Sequence, residues 1–329
     1  MMKKFLSVCL CFSLLVFAFA SCGKRAVYPL EIEGVGISKG VYAYYLDRVF
    51  SNPEKFGAKA GNRESILLKT EELCKKYAAL TNYCKKLGVK PEQYIKSEAN
   101  EKTDGLWSFF GEYYKRIGVC KADLLKVTLC ESEKKQIVSF LFGKGGKSEV
   151  SQDDLKQSFV ELYVGFKAIE APLSKINTKG ETTELSEKEK EALRAEFESM
   201  AKRLNNGTDI DTLNAEYCKK QNLVATQALQ VNLAKKNDVM YDDGFFEEVS
   251  AIPHGSAAVV EGESTIYLIE RETIATSDED AFARYESEVL EYLKLPWVER
   301  KIASVAEKYK ADGNEKIIDG IYKTVSENK

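Results

Sequence analysis

One histidine, His254, serves a chain of 329 residues, and only six prolines and two tryptophans accompany it. The shortage of histidine removes the side chain best suited to moving protons near neutral pH, and with it the commonest metal ligand. Any acid/base chemistry would fall to carboxylates, lysines or thiols. No C-x-x-C pair occurs and His254 is remote in sequence from every cysteine, so no metal site is expected. No G-x-x-x-x-G-K-[ST] loop is present either. GKGGK at 143–147 is too compressed to cradle phosphates and reads as the end of a helix. Blocks of like charge are missing too: lysines and glutamates are interspersed, as on a solvated helical surface, which argues against nucleic acid as a partner. No cofactor is expected.

Long apolar runs are also missing, with one exception at the start. Lys3 and Lys4 precede a nearly uninterrupted apolar stretch from Phe5 to Phe19, which stops at FASCGK. Such a run is short for a membrane-spanning helix and has the layout of a secretory signal, residues 1–21. Ala20, Ser21, Cys22 and Gly23 resemble the bacterial lipobox, with Phe19 in place of the usual leucine. That resemblance implies a diacylglyceryl group on the Cys22 thiol and an extracytoplasmic, lipid-anchored chain; two or more acyl chains hold a protein on a bilayer stably, where one does not. Removing Lys3 and Lys4 from 48 basic residues leaves 46 against 51 acidic ones, a net charge near −5.

Beyond Cys22 five cysteines remain, an odd number that defines no disulfide framework. Cys74 and Cys84 fall ten residues apart on one expected helix, about 15 Å along its axis, too far to pair. Cys84 and Cys130 sit on apolar stripes and read as buried free thiols.

Residues 24–37 read as a short strand or extended segment. Ser38 then caps a helix through VYAYYLDRVF, and Asn62 to Leu87 carries apolar positions at steps of three and four up to Gly88, a left-handed stop. Separate helices fit PEQYIKSEA and LWSFFGEYYKRIG, and another fits Lys121 to Phe142. Ser151 with Asp154 starts a further helix. Strands are expected at Val164–Ala171, Val224–Leu233 and Ala257–Glu272, with PLSKINTKGETTEL as a polar loop and a helix capped by Ser186 and Glu189. After Thr276 the pattern is helical again, with a break or kink at Pro296. The order is helices, mixed α and β, then helices: an α+β chain in which the first and last segments share one module around an insert.

NYCKKLGVKPEQY, YYKRIGVCKADLLKVTLCESEKKQIVSFLF and SEVSQDDLKQSF resemble, in this order, the amino-terminal module of the PrsA and SurA type chaperones. GFKAIEAPL, FESMAKRLNNGTDIDTLNAEY and DDGFFEEVSAIPHGSAAVVEGESTIYLIERE resemble the first strand, the paired helices and the closing helix, turn and strands of a parvulin-type prolyl isomerase domain. The resemblance implies a signal at 1–21, a helical chaperone-like module at 22–160, a parvulin-like domain at 161–275, and helices at 276–329 that return to the first module.

Parvulins carry two histidines beneath an apolar, proline-receiving groove. Laid on this chain, the first falls at Ala168 or Glu170 and the second at Tyr267, so both are absent. Ser250 stands near the slot of a groove aromatic, and the usual glycine pair is missing from VATQALQVNLAKKND. No catalytic residue is assigned, and His254 reads as a solvent-facing turn residue ahead of Gly255. The implied function is a membrane-anchored chaperone or foldase for unfolded or partly folded secreted proteins, with weak or absent isomerase activity. The alternatives are an active prolyl isomerase, since amide rotation needs no proton transfer, and a scaffold lipoprotein holding one envelope partner. Of the helical module's aromatics, Tyr42, Tyr44, Tyr45, Phe50, Trp107, Phe109, Phe110, Tyr113 and Tyr114, most are expected to fill the core and a minority to meet extended segments.

Overall fold

The computed structural model describes residues 27–176, 179–224, 228–274 and 279–329. In chain order these form β1 (Leu30–Ile32), β2 (Val35–Ile37), α1 (Lys39–Ser51), α2 (Arg63–Leu87), α3 (Gln93–Arg116), α4 (Lys121–Phe142), α5 (Gln152–Leu162) and β3 (Tyr163–Pro172). There follow β4 (Ser174–Ile176), β5 (Thr182–Glu184), α6 (Glu187–Asn205), α7 (Ile210–Lys220), β6 (Asn232–Lys235), α8 (Phe245–Ala251), β7 (Ala257–Glu261) and β8 (Thr265–Glu272). The chain closes with α9 (Glu279–Ala306), β9 (Ala311–Gly313) and α10 (Glu315–Ser326). The fold is α+β. Two compact units divide it: the described residues up to Ile137 together with Val298–Lys329, and the insert Val138–Trp297.

Local chemistry sets the element ends. Ser38 accepts a hydrogen bond from the Val41 amide, Asn62 from Ser65 and Ser151 from Asp154, each relieving an orphan donor of a first helical turn. Ser186 and Glu189 form a reciprocal capping box. Gly88 ends α2 at φ 70°, a conformation that suits glycine.

Four expectations are corrected. The two helices read around Gly105 are one, α3, because a solvent-exposed glycine costs a helix interior only about 1 kcal/mol. Pro296 lies inside α9 and does not end it. The strand expected at Val224–Leu233 is confined to Asn232–Lys235, with residues 225–227 outside the described residues. The polar loop after β3 contains a β4–β5 hairpin, Ser174 pairing with Glu184.

In the discontinuous unit, β1 is the centre of a three-stranded antiparallel sheet, with β2 on one side and β9 on the other. Leu30 pairs with both Ile37 and Gly313. Beneath it α1 is buried along most of its length, packed by α2 and α10. Tyr42, Leu46, Ile66 and Leu124 fill the core. In the insert, a four-stranded antiparallel sheet runs β6-β3-β8-β7. Alternation along β3 separates its two faces: Ile169, Ala171 and Leu173 meet Phe197, Met200 and Leu213 of α6 and α7. Val164, Phe166 and Ala168 meet Phe245 and Val249 of α8.

One buried charge stands out. Asp47 of α1 is held by the ammonium of Lys329 at 2.5 Å and by the Tyr113 hydroxyl. Losing the cation leaves a nearly buried carboxylate short of one partner, which costs about 1–3 kcal/mol. Lys329→Ala should therefore lower the unfolding free energy by that amount at neutral pH, read as a lower urea midpoint at unchanged slope. Although burial lowers the pKa of Lys329, the hydrogen bonds to Asp47 and Tyr113 raise it further, and the balance lies above the free value. Its contribution is therefore complete below the free lysine value of about 10.4 and fades only as pH climbs through the raised one.

Candidate functional site

The positions that resemble isomerase groove residues lie on the α8 side of the four-stranded sheet and around its edge. Ala168 is buried opposite Ile269. Two residues on, Glu170 is exposed and pairs across the ladder with Tyr267 of β8. The structure thus brings Glu170 and Tyr267 side by side, with Ala168 one diagonal step away. Ser250 stands apart, exposed on α8 beside the buried Val249.

The space beneath Tyr267 is occupied by rings. Tyr241 stacks on Phe245 with centroids 4.2 Å apart and planes 7° from parallel. Phe166 approaches both, at 5.9 Å from Tyr241 and 5.5 Å from Phe245, and Tyr267 meets the Phe245 ring edge-on at 5.2 Å. Four aromatic side chains therefore interlock, an arrangement worth more than their burial alone. Tyr241 and Phe245, which complete this cluster from outside the sheet, were not singled out in the sequence; the YDDGFF run that carries both rings was the available signal.

Electrostatics here oppose proton transfer. Burial, reinforced by the carboxylates of Glu170 and Asp242, raises the Tyr267 hydroxyl above the ordinary tyrosine value, so it stays a neutral phenol at physiological pH. Tyr241 is raised for the same first reason. The adjoining cavity, about 250 Å³, is rimmed by Asp238, Asp242, Asp243 and Glu247 against a single cation, Lys235, which is paired with Glu288, and Val239 and Met240 are exposed beside it. An acidic rim over tightly stacked rings is a poor receiver for an apolar proline. His254 is exposed in the turn after α8, its Nδ1 3.5 Å from the Thr273 hydroxyl. Gly255 takes φ 71° and donates its amide to Arg271, which reverses the chain there.

The discontinuous unit carries the apolar surface. Tyr42, Tyr44, Tyr45 and Tyr114 are buried, and Phe50, Trp107 and Tyr113 are half-buried. Phe109 and Phe110, adjacent on α3, are exposed at 83% and 50%. Two cavities open on the same unit. One, about 430 Å³, has a floor of Leu73, Tyr77, Leu80, Cys130 and Ile302 under a rim that includes Lys76, Arg300 and Glu299. The other, about 640 Å³, lies between α2 and α10 over Leu67 and Ile318, with Glu64, Glu71 and Glu315 at its edge.

The described cysteines are free; Cys74, Cys84, Cys130 and Cys218 are buried and Cys120 is exposed. Burial pushes the Cys84 thiol up to about 12, so it is unreactive at neutral pH. No group of three or more potential metal ligands occurs among the described residues. Cys22 lies outside them.

No family model matches the chain, and no curated protein matches it. Solved structures do. It is similar to the foldase protein PrsA from Lactococcus lactis at 11% identity, covering 91% of this chain and 99% of that one, with a TM-score of 0.37. PrsA from Streptococcus pneumoniae aligns at 15% identity over 90% and 98% of the two chains, TM-score 0.36. A SurA-like chaperone of Campylobacter jejuni aligns at 12% identity over 87% and 98%, TM-score 0.27.

The aromatic cluster should behave as core. Phe245→Ala should destabilise the full chain by about 3–5 kcal/mol, the cost of deleting a buried ring, whereas Ser250→Ala should stay within about 0.5 kcal/mol of wild type. Chemical denaturation checks both; comparable losses for the two variants would mean that Ser250 carries packing its exposure does not account for.

Proposed function

We propose that this protein is a lipid-anchored, extracytoplasmic chaperone or foldase that binds unfolded or partly folded secreted proteins and isomerises prolyl bonds weakly or not at all. The reading divides the mature chain into a client-binding helical module, 22–160 with 276–329, and a parvulin-like domain, 161–275. The observation that carries the reading is the packing of Tyr267 against Phe245, itself stacked on Tyr241, where a groove histidine would stand, with exposed Glu170 across the ladder.

Rotation about a prolyl bond has a barrier of about 20 kcal/mol and needs no covalent step. Catalysis requires an apolar seat that favours the twisted amide. Here the rings satisfy one another and the rim is acidic, which leaves little surface to favour that state. Exposed Phe109 and Phe110, with the apolar floor of the Tyr77 cavity, supply nonspecific contact for extended segments instead. Nothing in such binding consumes nucleotide.

Anchoring rests on Cys22 and the FASCGK sequence. Among the described residues no helix is long and apolar enough to cross a membrane. Metabolic labelling with a fatty acid should mark the wild type and not Cys22→Ala; equal incorporation in the two would remove the anchor.

In solution, the protein should suppress aggregation of a thermally unfolding enzyme stoichiometrically and without ATP. It should speed isomerisation of a proline peptide, and of a proline-limited refolding reaction, by less than about tenfold over the uncatalysed phase of tens of seconds. His254→Ala should change neither property. Robust catalysis lost in His254→Ala would make the protein an isomerase with a site elsewhere than the Tyr267 face. Saturable binding of one native protein, with no protection of unfolded clients, would make it a scaffold.

A further inference from the structure

A third cavity of the discontinuous unit differs in chemistry from the two larger ones. It measures about 390 Å³, is floored by Ala43, Ile117, Ile317 and Ile321, and has Lys39 and Lys316 at its edge. No carboxylate lines it, whereas both larger cavities carry several. Among the described residues neither Lys39 nor Lys316 makes an ion pair, and both are exposed. The carboxylate of Asp123, close to Gly40, is already engaged by Ser38, Cys120 and Lys126. Two uncompensated cations beside an aliphatic floor match an anionic amphiphile.

Topology places this cavity beside the chain's point of entry. Leu30 pairs with Ile37, which runs directly into Lys39, and with Gly313, which runs directly into Asn314 and Lys316. The Asn314 amide donates to Pro29 O at 2.9 Å. Tyr28 is pinned as well, since its ring lies so close over Gly36 that a Cβ there would come within 2.3 Å of it. Cys22 is only five peptide steps before Val27, a reach of at most about 18 Å. A chain lipidated at Cys22 therefore keeps Leu30, eight steps on and at this end of the three-stranded sheet, within about 29 Å of the bilayer surface. Other faces of the unit are under no such constraint.

We infer that the cavity seats an anionic phospholipid of the bilayer to which the chain is tethered. Lys39 and Lys316 take the headgroup phosphate, and the first methylenes of an acyl chain lie on Ala43, Ile117, Ile317 and Ile321. This orients the helical unit on the membrane. It rests on the lipid anchor proposed above for its geometry, but the site can be measured without the anchor.

The test uses the full mature chain carrying Cys22→Ala, sedimented with vesicles of phosphatidylcholine alone or of phosphatidylcholine with phosphatidylglycerol. The expected result is binding to the second kind only, reversed by high salt. Each lysine near an anionic surface contributes a factor of about five, so Lys39→Gln with Lys316→Gln should weaken binding roughly 25-fold. Gly320→Leu keeps both charges and projects into open space, since a Cβ there meets nothing within 4 Å. It should fill the floor and weaken binding too, while Gly320→Ala binds as wild type. Equal binding to both vesicle types would overturn the inference. So would an equal loss in a control pair, Lys188→Gln with Lys219→Gln, or unaltered binding by Gly320→Leu, since either outcome leaves only diffuse charge attraction. Fatty-acid labelling of Cys22 tests the anchor separately, and its failure would leave the vesicle result standing.

Discussion

The pairing of Leu30–Ile32 with Ala311–Gly313 holds the discontinuous unit together. It joins strands from opposite ends of the described chain, and closing a loop of that length costs on the order of 5 kcal/mol in chain entropy. Three residues of ladder cannot offset that alone. The balance comes from what the pairing delivers: β9 leads straight into α10, whose Ile321 and Val325 are buried with α1 in the core, and the chain then brings Lys329 to Asp47. Strand, helix and ion pair are one cooperative closure. The cavity bounded by α1 and α10 exists only because of it.

Within the insert, register does the equivalent work. Eight consecutive residue pairs align β3 with β8, from Gly165 opposite Glu272 to Pro172 opposite Thr265. A one-residue slip would exchange the two faces of β3, sending Ile169 and Leu173 toward α8 and Phe166 toward α6. The register fixes Glu170 opposite Tyr267, and the rings of Phe166, Tyr241 and Phe245 then close the space beneath. This face of the sheet is thereby stabilised by side chains that fill it.

The two units thus present different chemistry. The insert shows an acidic rim and satisfied rings; the discontinuous unit shows exposed phenylalanines, apolar-floored cavities and, beside the entry of the chain, a carboxylate-free pair of lysines. The client binding proposed above needs exposed apolar surface, and Phe109 and Phe110 of the helical unit supply it. Its buried thiols fit the same picture, since Cys74 and Cys130 lie in the core with their ionisation suppressed by burial.

Much of this was local and therefore legible in the residues themselves. Ser38, Asn62, Ser151 and the Ser186–Glu189 pair cap the helices they announce, because a cap is a bond between neighbours in sequence. Gly88 and Gly255 mark reversals for the same reason, and the lone histidine read as a turn residue is exposed in a turn. Where neighbours gave conflicting signals, local reading failed: Gly105 fell in a gap read between two helices and Pro296 was read as a break or kink, yet α3 and α9 run through them. Propensity is worth about 1–3 kcal/mol at such positions, and the packing of a long helix outweighs it. Only tertiary structure decided which residues share a site. That Glu170 faces Tyr267, that Tyr241 stacks on Phe245, and that Lys39 and Lys316 meet over one aliphatic floor are facts of register and closure between distant segments, where side-chain identity alone carries no distance.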